Sequence, residues 1–575
     1  MRMCECRAKC RCDRRAAKAG ARAWAASEVL AASAASAVSA ASRLAVSAAL
    51  LSVALLSACT VGPDFKTPDA QLPAHYHDTQ RASSASPLAA PGIATPRTTP
   101  STVTQQADID PQWWHSFHDP MLDALIADAL AGNLDLQEAV LRIAEARAQV
   151  LQAGAQGLPS LNATASYNRE QLGLEGILKS KGVFNQTNAL ASNSTLNGLS
   201  PGAGAQLQQG ANNLLNQLTQ PINIFQVGFD ASWELDLFGR VRRSVESANA
   251  QTEARIANSR DAMLSLEAEV AQTYAQLRGA QQLRQVTIEQ IAVNRQILDL
   301  TRNRQQHGLE NQSAVESAAG QMTSDQAQIP HYDQQIAQAM SALAVLTGTP
   351  PGTLDQSLAD PGTVLREPPV VPIGLPSTLA RRRPDIRAAE ANLHAATAQV
   401  GVSVAQLYPD VSLTGQFGTR ATRASYLTEW ASHFYSFGPS VSLPIFQGGA
   451  LVASVRLAKT QQAEAALEYR KTVLDALRDI DDALVAYRSD QARRDALDQT
   501  DQANEHAYEL ASEAYRHGIV SFITVLDAQR QATQARQQLT SADTQVITDL
   551  VSLYKALGGG WEDASENGNN LHIVH

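Results

Sequence analysis

The chain has 575 residues, of which 18% are charged and 5% aromatic, with a formal net charge of −10. So few aromatic residues exclude one large compact interior and suit alanine-rich helices packed side by side at short distance. Residues 1–58 carry nine Lys/Arg and three Asp/Glu, so the rest stands near −16, which argues against nucleic acid as a partner.

Residues 1–58 read as a signal peptide of the lipoprotein type. Arg43 precedes an apolar run, Leu44–Leu56, of about thirteen residues, which is short for a membrane span and suits a signal-peptide core. The run ends in Leu56-Ser57-Ala58-Cys59, which resembles the lipobox of bacterial lipoproteins. In that box the cysteine thiol is diacylated and cleavage leaves the cysteine as the new amino terminus. Cys59 is therefore expected to carry a diacylglycerol and an N-acyl chain, and no other cofactor is expected. Thr60 follows where an aspartate would signal inner-membrane retention, so delivery to the outer membrane is implied. Cys4, Cys6, Cys10 and Cys12 have a metal-like spacing, but they leave with the signal peptide. No cysteine follows Cys59, so the mature chain is expected to hold no disulfide.

Residues 59–112 are rich in Pro, Ser, Thr and Ala and read as an extended arm. A first repeat, 113–347, opens at Trp113-Trp114. Asp119-Pro120 then supplies a helix cap and a first-turn proline for one helix running to about Gln156. Strands are expected at Leu161–Tyr167 and Phe225–Leu237. The second alternates Val227, Phe229, Ala231, Trp233, Leu235 and Leu237 with Gly228, Asp230, Ser232, Glu234 and Asp236. One face is apolar and the other acidic, as a soluble sandwich or a membrane barrel with a polar lumen would require. The Gly/Asn/Ser/Gln-rich stretch 172–220 between them reads as a long loop. A helical hairpin, 240–347, turns at His307-Gly308-Leu309 and breaks at Pro330.

A Pro/Gly-rich linker covers 348–376, and the order then repeats over 377–561. A helix runs from Pro384 to Leu407, strands follow at Val411–Phe417 and Phe437–Phe446, and a second hairpin fills 449–557. That hairpin has no proline, and Gly518 is its only interior glycine. Its first arm, Ala450–His517, repeats apolar residues every three or four positions, and 68 residues of helix reach about 100 Å. Such a length belongs to a coiled coil or the wall of a tube. Residues 562–575 read as a flexible tail.

The halves align. Ala148-Gln149-Val150 precedes Pro159 as Ala398-Gln399-Val400 precedes Pro409, and Gly308 matches Gly518. The chain is therefore an internal duplication of helix, two strands and a long hairpin. Four strands cannot close a membrane barrel and open edges are not tolerated in lipid, so closure must come from other copies; three would give twelve strands.

Several stretches carry a family resemblance: Cys59-Thr-Val-Gly-Pro-Asp-Phe65, Trp233-Glu-Leu-Asp-Leu-Phe-Gly-Arg240, Arg382-Arg-Pro-Asp-Ile386, Gly438-Pro-Ser-Val-Ser-Leu-Pro-Ile-Phe446 and Leu526-Asp-Ala-Gln-Arg530. Collinear over about 59–561, the chain resembles the TolC-like outer-membrane efflux factors, in the lipoprotein branch of the NodT and OprM type. The resemblance implies an α+β membrane protein: a homotrimer whose twelve-stranded outer-membrane β-barrel continues as a periplasmic α-helical barrel. It implies the exit duct of a tripartite efflux system, lipid-anchored and gated at its periplasmic tips. The partners implied are a periplasmic adaptor protein and an inner-membrane transporter of the resistance-nodulation-division type.

By the same resemblance, Gly308, Leu309, Gly518 and Ile519 are the adaptor-contacting tips, although glycine is needed there simply to reverse the chain. Ile523, Asp527 and Arg530 are the periplasmic gate. They fall at i, i+4 and i+7 on one helical face, which an exposed Asp–Arg pair would also satisfy. Some relatives carry further acidic residues where this chain has Thr524 and Ala314, so a single carboxylate ring is implied. No His-Glu-x-x-His, P-loop or Gly-x-Ser-x-Gly pattern appears, so an enzyme is not expected. His572 and His575 close the chain and are not read as a metal site. A non-conducting coiled-coil lipoprotein that spaces the envelope would explain the lipobox and helices but not the alternating strands.

Overall fold

The computed structural model describes residues 60–70, 72–77, 101–105, 109–171, 173–362, 365–376 and 382–561. Cys59, the four earlier cysteines, His572 and His575 lie outside the described residues. In chain order the main elements are α1 (Pro120–Gly132), α2 (Leu134–Ala155), β1 (Ser160–Glu170), α3 (Leu174–Ser180), α4 (Val183–Ala189), α5 (Ser194–Leu199), α6 (Ala203–Thr219) and β2 (Ile222–Leu235). They continue as α7 (Arg240–Gln306), α8 (Gln312–Gln326), α9 (Ile329–Leu346), α10 (Pro384–Ala405), β3 (Asp410–Ala421), β4 (His433–Ser442), α11 (Ala450–Arg516) and α12 (Phe522–Leu557). The duplication is visible in the lengths: α2 and α10 each have 22 residues, and α7 and α11 each have 67.

The chain divides into two units. The first, built on residues 157–242 and 404–446, is an antiparallel sheet of order β1-β2-β3-β4. Phe229 pairs with Ala163 on one side and Phe417 on the other, Trp233 pairs with Leu413, and Phe417 with Tyr435. Directly paired residues share a face, so these side chains build one apolar face across all four strands. Asn162, Asp230 and Gln416 are paired in the same way on the opposite, polar face, and Glu234 pairs there with Ser412. The apolar face is uncovered within one chain: Phe229, Phe417, Tyr435 and Phe437 are all exposed.

The two ends of the sheet differ. At the end marked by the pairs Ser160–Ser232 and Asp410–Ser442, the strands connect to α2, α7, α10 and α11. At the other end, marked by Glu170–Ile222 and Thr419–His433, the strands are joined by the α3–α6 insertion and by residues 422–432.

β1 and β3 run longer than the expected Leu161–Tyr167 and Val411–Phe417, over Ser160–Glu170 and Asp410–Ala421, and three further expectations change. β2 stops at Leu235 rather than Leu237, because Asp236 caps a helix: its carboxylate accepts from the Val241 and Arg242 backbone N–H at 3.2 and 2.9 Å. β4 is His433–Ser442 rather than Phe437–Phe446, since β3 pairs with it only as far as Ser442 and Pro444 lacks an N–H. The stretch read as a loop, 172–220, holds the four helices α3–α6. Its Gly and Asn residues punctuate those helices: Asn193 caps α5 by accepting from Thr195 and Leu196 N–H, and Gly173, Gly182 and Gly202 precede α3, α4 and α6. Asn212 and Asn188 side chains then join α6 to α4.

The second unit is helical, and its main core gathers α1, α7, α11 and α12 around Trp113. The Trp113 ring stacks on Tyr554 at 5.1 Å, Tyr274 hydroxyl donates to Asp119 at 2.9 Å, and Tyr487 bonds Ser101 at 2.8 Å. Burying a side chain as large as Trp113 stabilises by about 3 kcal/mol or more. Thr102–Thr104 pairs in parallel with Val370–Pro372, so segments read as arm and linker enter this core, with Leu358, Leu365, Val371 and Ile373 buried. The single helix expected from Asp119 to Gln156 breaks at Asn133, whose Oδ1 caps α2 and whose Nδ2 donates to the Leu346 carbonyl at 3.0 Å.

Along α11, which packs against α12, the buried residues Tyr469, Val473, Ala476, Ile480, Leu484, Tyr487, Gln491, Arg494, Asp498 and Asp501 fall three or four apart and form one buried seam. From Gln491 onward the seam is polar. Arg494 meets Glu367 at 2.5 Å and Asp495 at 2.8 Å, and Arg536 of α12 meets Asp501 at 2.8 Å.

Candidate gate at the helical tips

Both hairpins reverse through the same geometry. Gly308 has φ 71° and Gly518 φ 75°, left-handed values that disfavour any residue with a Cβ. In each turn the glycine N–H reaches the carbonyl three residues back and the next N–H reaches five back, all at 2.9 Å: Gly308 to Gln305, Leu309 to Arg304, Gly518 to Tyr515 and Ile519 to Ala514. Leu309 and Ile519 project from these turns with 67% and 75% of their surface exposed.

Behind the turns lies a second, smaller core of Leu298, Ala314, Val315, Ala318, Tyr515, Phe522, Val525 and Leu526, drawn from both hairpins. Arg304 locks it. Its guanidinium lies 4.5 Å from the Tyr515 ring centroid, and Nη1 donates to the Tyr515 carbonyl at 3.0 Å. Tyr515 hydroxyl donates at 3.4 Å to Glu310, just past the first turn, and burial pushes the phenol pKa up. Further back, Asn294 and Gln321 both donate to Asp325, whose burial raises its pKa.

Ile523, Asp527 and Arg530 all lie exposed on one side of α12. Ile523 leaves 65% of its surface in solvent while its neighbours Phe522, Val525 and Leu526 are buried. Arg530 Nε donates to Gln321 at 2.7 Å, which ties α12 to α8 and draws the arginine to the first hairpin rather than into a pair with Asp527. Thr524 is exposed beside them, whereas Ala314 is inside the tip core. Sequence reading located the turns and this face but missed Arg304, Glu310, Gln321 and Asp325. Apart from the i,i+4 step of Gln321 and Asp325, no local spacing marks them: Tyr515 stands 211 residues from Arg304, and Arg530 209 from Gln321.

The chain immediately after Cys59 is held down. In the sheet unit, Val61 N–H donates to the Phe238 carbonyl at 3.2 Å. In the helical unit, Asp64 pairs with Arg243 at 2.6 Å and Phe65 stacks on His394 at 4.4 Å.

A sheet with one apolar and one polar face, feeding paired helices of 67 residues, is the build of an outer-membrane channel with a long helical extension. No described helix is long and apolar enough to cross a membrane. Residues 125–349 and 375–559 match the family described as outer membrane efflux protein, and the chain belongs to that family. It is an outer-membrane efflux channel whose helical part is periplasmic. It is 30% identical to the probable efflux pump outer membrane protein TtgC of Pseudomonas putida over 530 residues, 91% of this chain and 98% of that one. Nodulation protein T of Rhizobium leguminosarum bv. viciae is 30% identical, covering 90% of this chain and 93% of its own length. Among solved structures, the outer-membrane channel OprN superposes with a TM-score of 0.71 at 30% identity, covering 88% of this chain and all of that one. The open-state MtrE channel of Neisseria gonorrhoeae gives 0.65 at 26% identity, covering 88% and 99%.

Proposed function

We propose that three copies of this chain close a twelve-stranded barrel in the outer membrane and that their paired hairpins form a periplasmic duct gated at the tips. The observation that carries the reading is the four-stranded sheet itself. Its edges β1 and β4 pair with no other described strand, and its apolar face is uncovered. Edges of that kind are untenable in lipid, and neighbouring copies satisfy them by pairing β4 of one with β1 of the next. The apolar face then meets lipid, and Asp230 and Glu234 face the lumen.

Cys59 carries the lipid anchor in this reading, and the contacts of Val61, Asp64 and Phe65 fix the chain just beyond it. Leu309 and Ile519 supply apolar knobs, beside Gly308 and Gly518, for a periplasmic adaptor that joins the duct to an inner-membrane transporter of the resistance-nodulation-division type. Relatives are named for exporting toluene, antibiotics and pyoverdine. That spread fits a duct that leaves choice of cargo to the transporter and performs no catalysis of its own.

Ion conductance of the purified protein in planar bilayers, with its native mass measured in the same detergent, tests the reading. A trimer that conducts is expected. A stable monomer, or a trimer without conductance, overturns it, and the latter would leave a structural spacer.

A further inference from the structure

The α3–α6 insertion carries a surface that the channel reading does not use. From Gly182 to Phe229 there is no Asp, Glu, Lys, Arg or His. Within it, α6 presents Leu207, Leu214 and Leu218, at i, i+7 and i+11 on one helical face, with 52–59% of each exposed. An uncharged helix with a bare leucine stripe is poorly suited to remain in water and meets no charge repulsion from another copy of itself. The same end of the sheet carries a second bare apolar group. Trp430, in the β3–β4 connection, is 85% exposed, so the chain's own insertion leaves it uncovered.

The register says which other surface comes near. β1, from which the insertion departs, is one edge of the sheet, and β4, which receives the Trp430 connection, is the other. When β4 of one copy pairs with β1 of the next, strand ends about 5 Å apart place one copy's Trp430 connection beside its neighbour's insertion. A helix of 17 residues spans about 25 Å, enough to reach across several strand ends.

We propose that the leucine stripe of α6 packs against the Trp430 connection of the adjacent copy, so that the insertion is an inter-subunit clasp at the end of the barrel remote from the helices. This rests on the three-copy reading above. The clasp adds apolar contact to an interface that strand pairing alone would otherwise hold at that end.

Two tagged forms of the full chain, one with Leu214→Cys and one with Trp430→Cys, are co-expressed, and the outer-membrane protein is oxidised. Each chain carries one new thiol, so a disulfide between the two tags forms only across copies. The expected result is a mixed-tag dimer on non-reducing gels. A link confined to pairs of Leu214→Cys chains would place the stripe on a three-fold axis and overturn the clasp, as would no link in a protein whose native mass is trimeric. A monomeric mass would instead overturn the three-copy reading and the clasp with it. Changing Leu207, Leu214 and Leu218 together to Asn gives an independent readout. It is expected to shorten the lifetime of the solubilised trimer by about tenfold or more, since one leucine's burial already corresponds to roughly that factor. An unchanged lifetime would also overturn the clasp.

Discussion

The Arg304 guanidinium lies over the Tyr515 ring, 4.5 Å from its centroid, and closes the contact with a 3.0 Å hydrogen bond from Nη1 to the Tyr515 carbonyl. The pair joins the last turn of α7 to the last turn of α11, so one residue of each hairpin holds the other at the tip.

Removing either partner should have unequal effects. Arg304→Ala takes away both the stacked cation and the donor to a helix-terminal carbonyl, and about 1–3 kcal/mol of local stability is expected to go with them. Its resting conductance in planar bilayers should rise. Tyr515→Phe loses the hydroxyl's contacts to Glu310, at 3.4 Å, and to Thr301 but keeps the ring under Arg304, so its conductance should stay near that of the unaltered protein. Equal conductance changes in the two variants would mean that the hydroxyl, not the stacked pair, holds the tips.

The exposed face of α12 yields a second expectation. Three Asp527 carboxylates around one axis would attract cations and bind trivalent ones, and three Ile523 side chains would narrow the same mouth. Asp527→Ala should weaken block by a trivalent cation added on the periplasmic side, and Ile523→Ala should raise resting conductance. Block as strong in Asp527→Ala as in the unaltered channel would remove Asp527 from the gate.

Glu267 gives the protein a pH-dependent cost. It is fully buried in the helical unit, and neither carboxyl oxygen has a hydrogen-bond partner among the described residues. Burial raises its pKa from 4.5 to about 9. The folded state therefore holds the proton more tightly than the unfolded one. This contribution is complete below about pH 4.5 and is lost progressively as pH rises toward about 9. Glu267→Gln should flatten the decline of the thermal midpoint of the solubilised protein over that window. An identical slope in the variant would show that the carboxyl is not desolvated.

On the barrel reading, the α3–α6 insertion, which joins the strand ends opposite those that continue into α2, α7, α10 and α11, is expected outside the cell. Protease added to intact cells should cut within 173–219 or 422–432 and spare the tips at Gly308 and Gly518. Cutting that needs a permeabilised outer membrane would reverse the assignment.

Anchoring through Cys59 is tested by metabolic labelling with a fatty acid. Cys59→Ala should lose the label. Because the proposed barrel would be held by its own apolar face, the variant should still reach the outer membrane wherever another peptidase releases it. Label retained on Cys59→Ala would place the acyl group elsewhere.

How much of this was legible in the sequence follows from the range of each interaction. The alternation of Val227, Phe229, Ala231 and Trp233 and the turns at Gly308 and Gly518 are local signals, because strand pleat, helix period and left-handed φ are properties of a few consecutive residues. Those signals marked the strands, the long helical arms and the duplication, and the stretches around Trp233–Arg240 and Arg382–Ile386 carried the family. The insertion was misread because Gly and Asn serve equally as loop residues and as helix caps. Which role Asn193 or Gly202 plays depends on whether α6 has α4 and α5 to pack against. Asp236 changed from a strand residue to a helix cap for a similar reason, since its partners lie on the far side of a turn. The Arg304–Tyr515 lock, the Arg530–Gln321 bond and the buried Glu267 were invisible in the sequence. Each is made by residues brought together from distant parts of the chain, and only the packing of helix on helix decides which of many similar arginines, glutamines and glutamates meet.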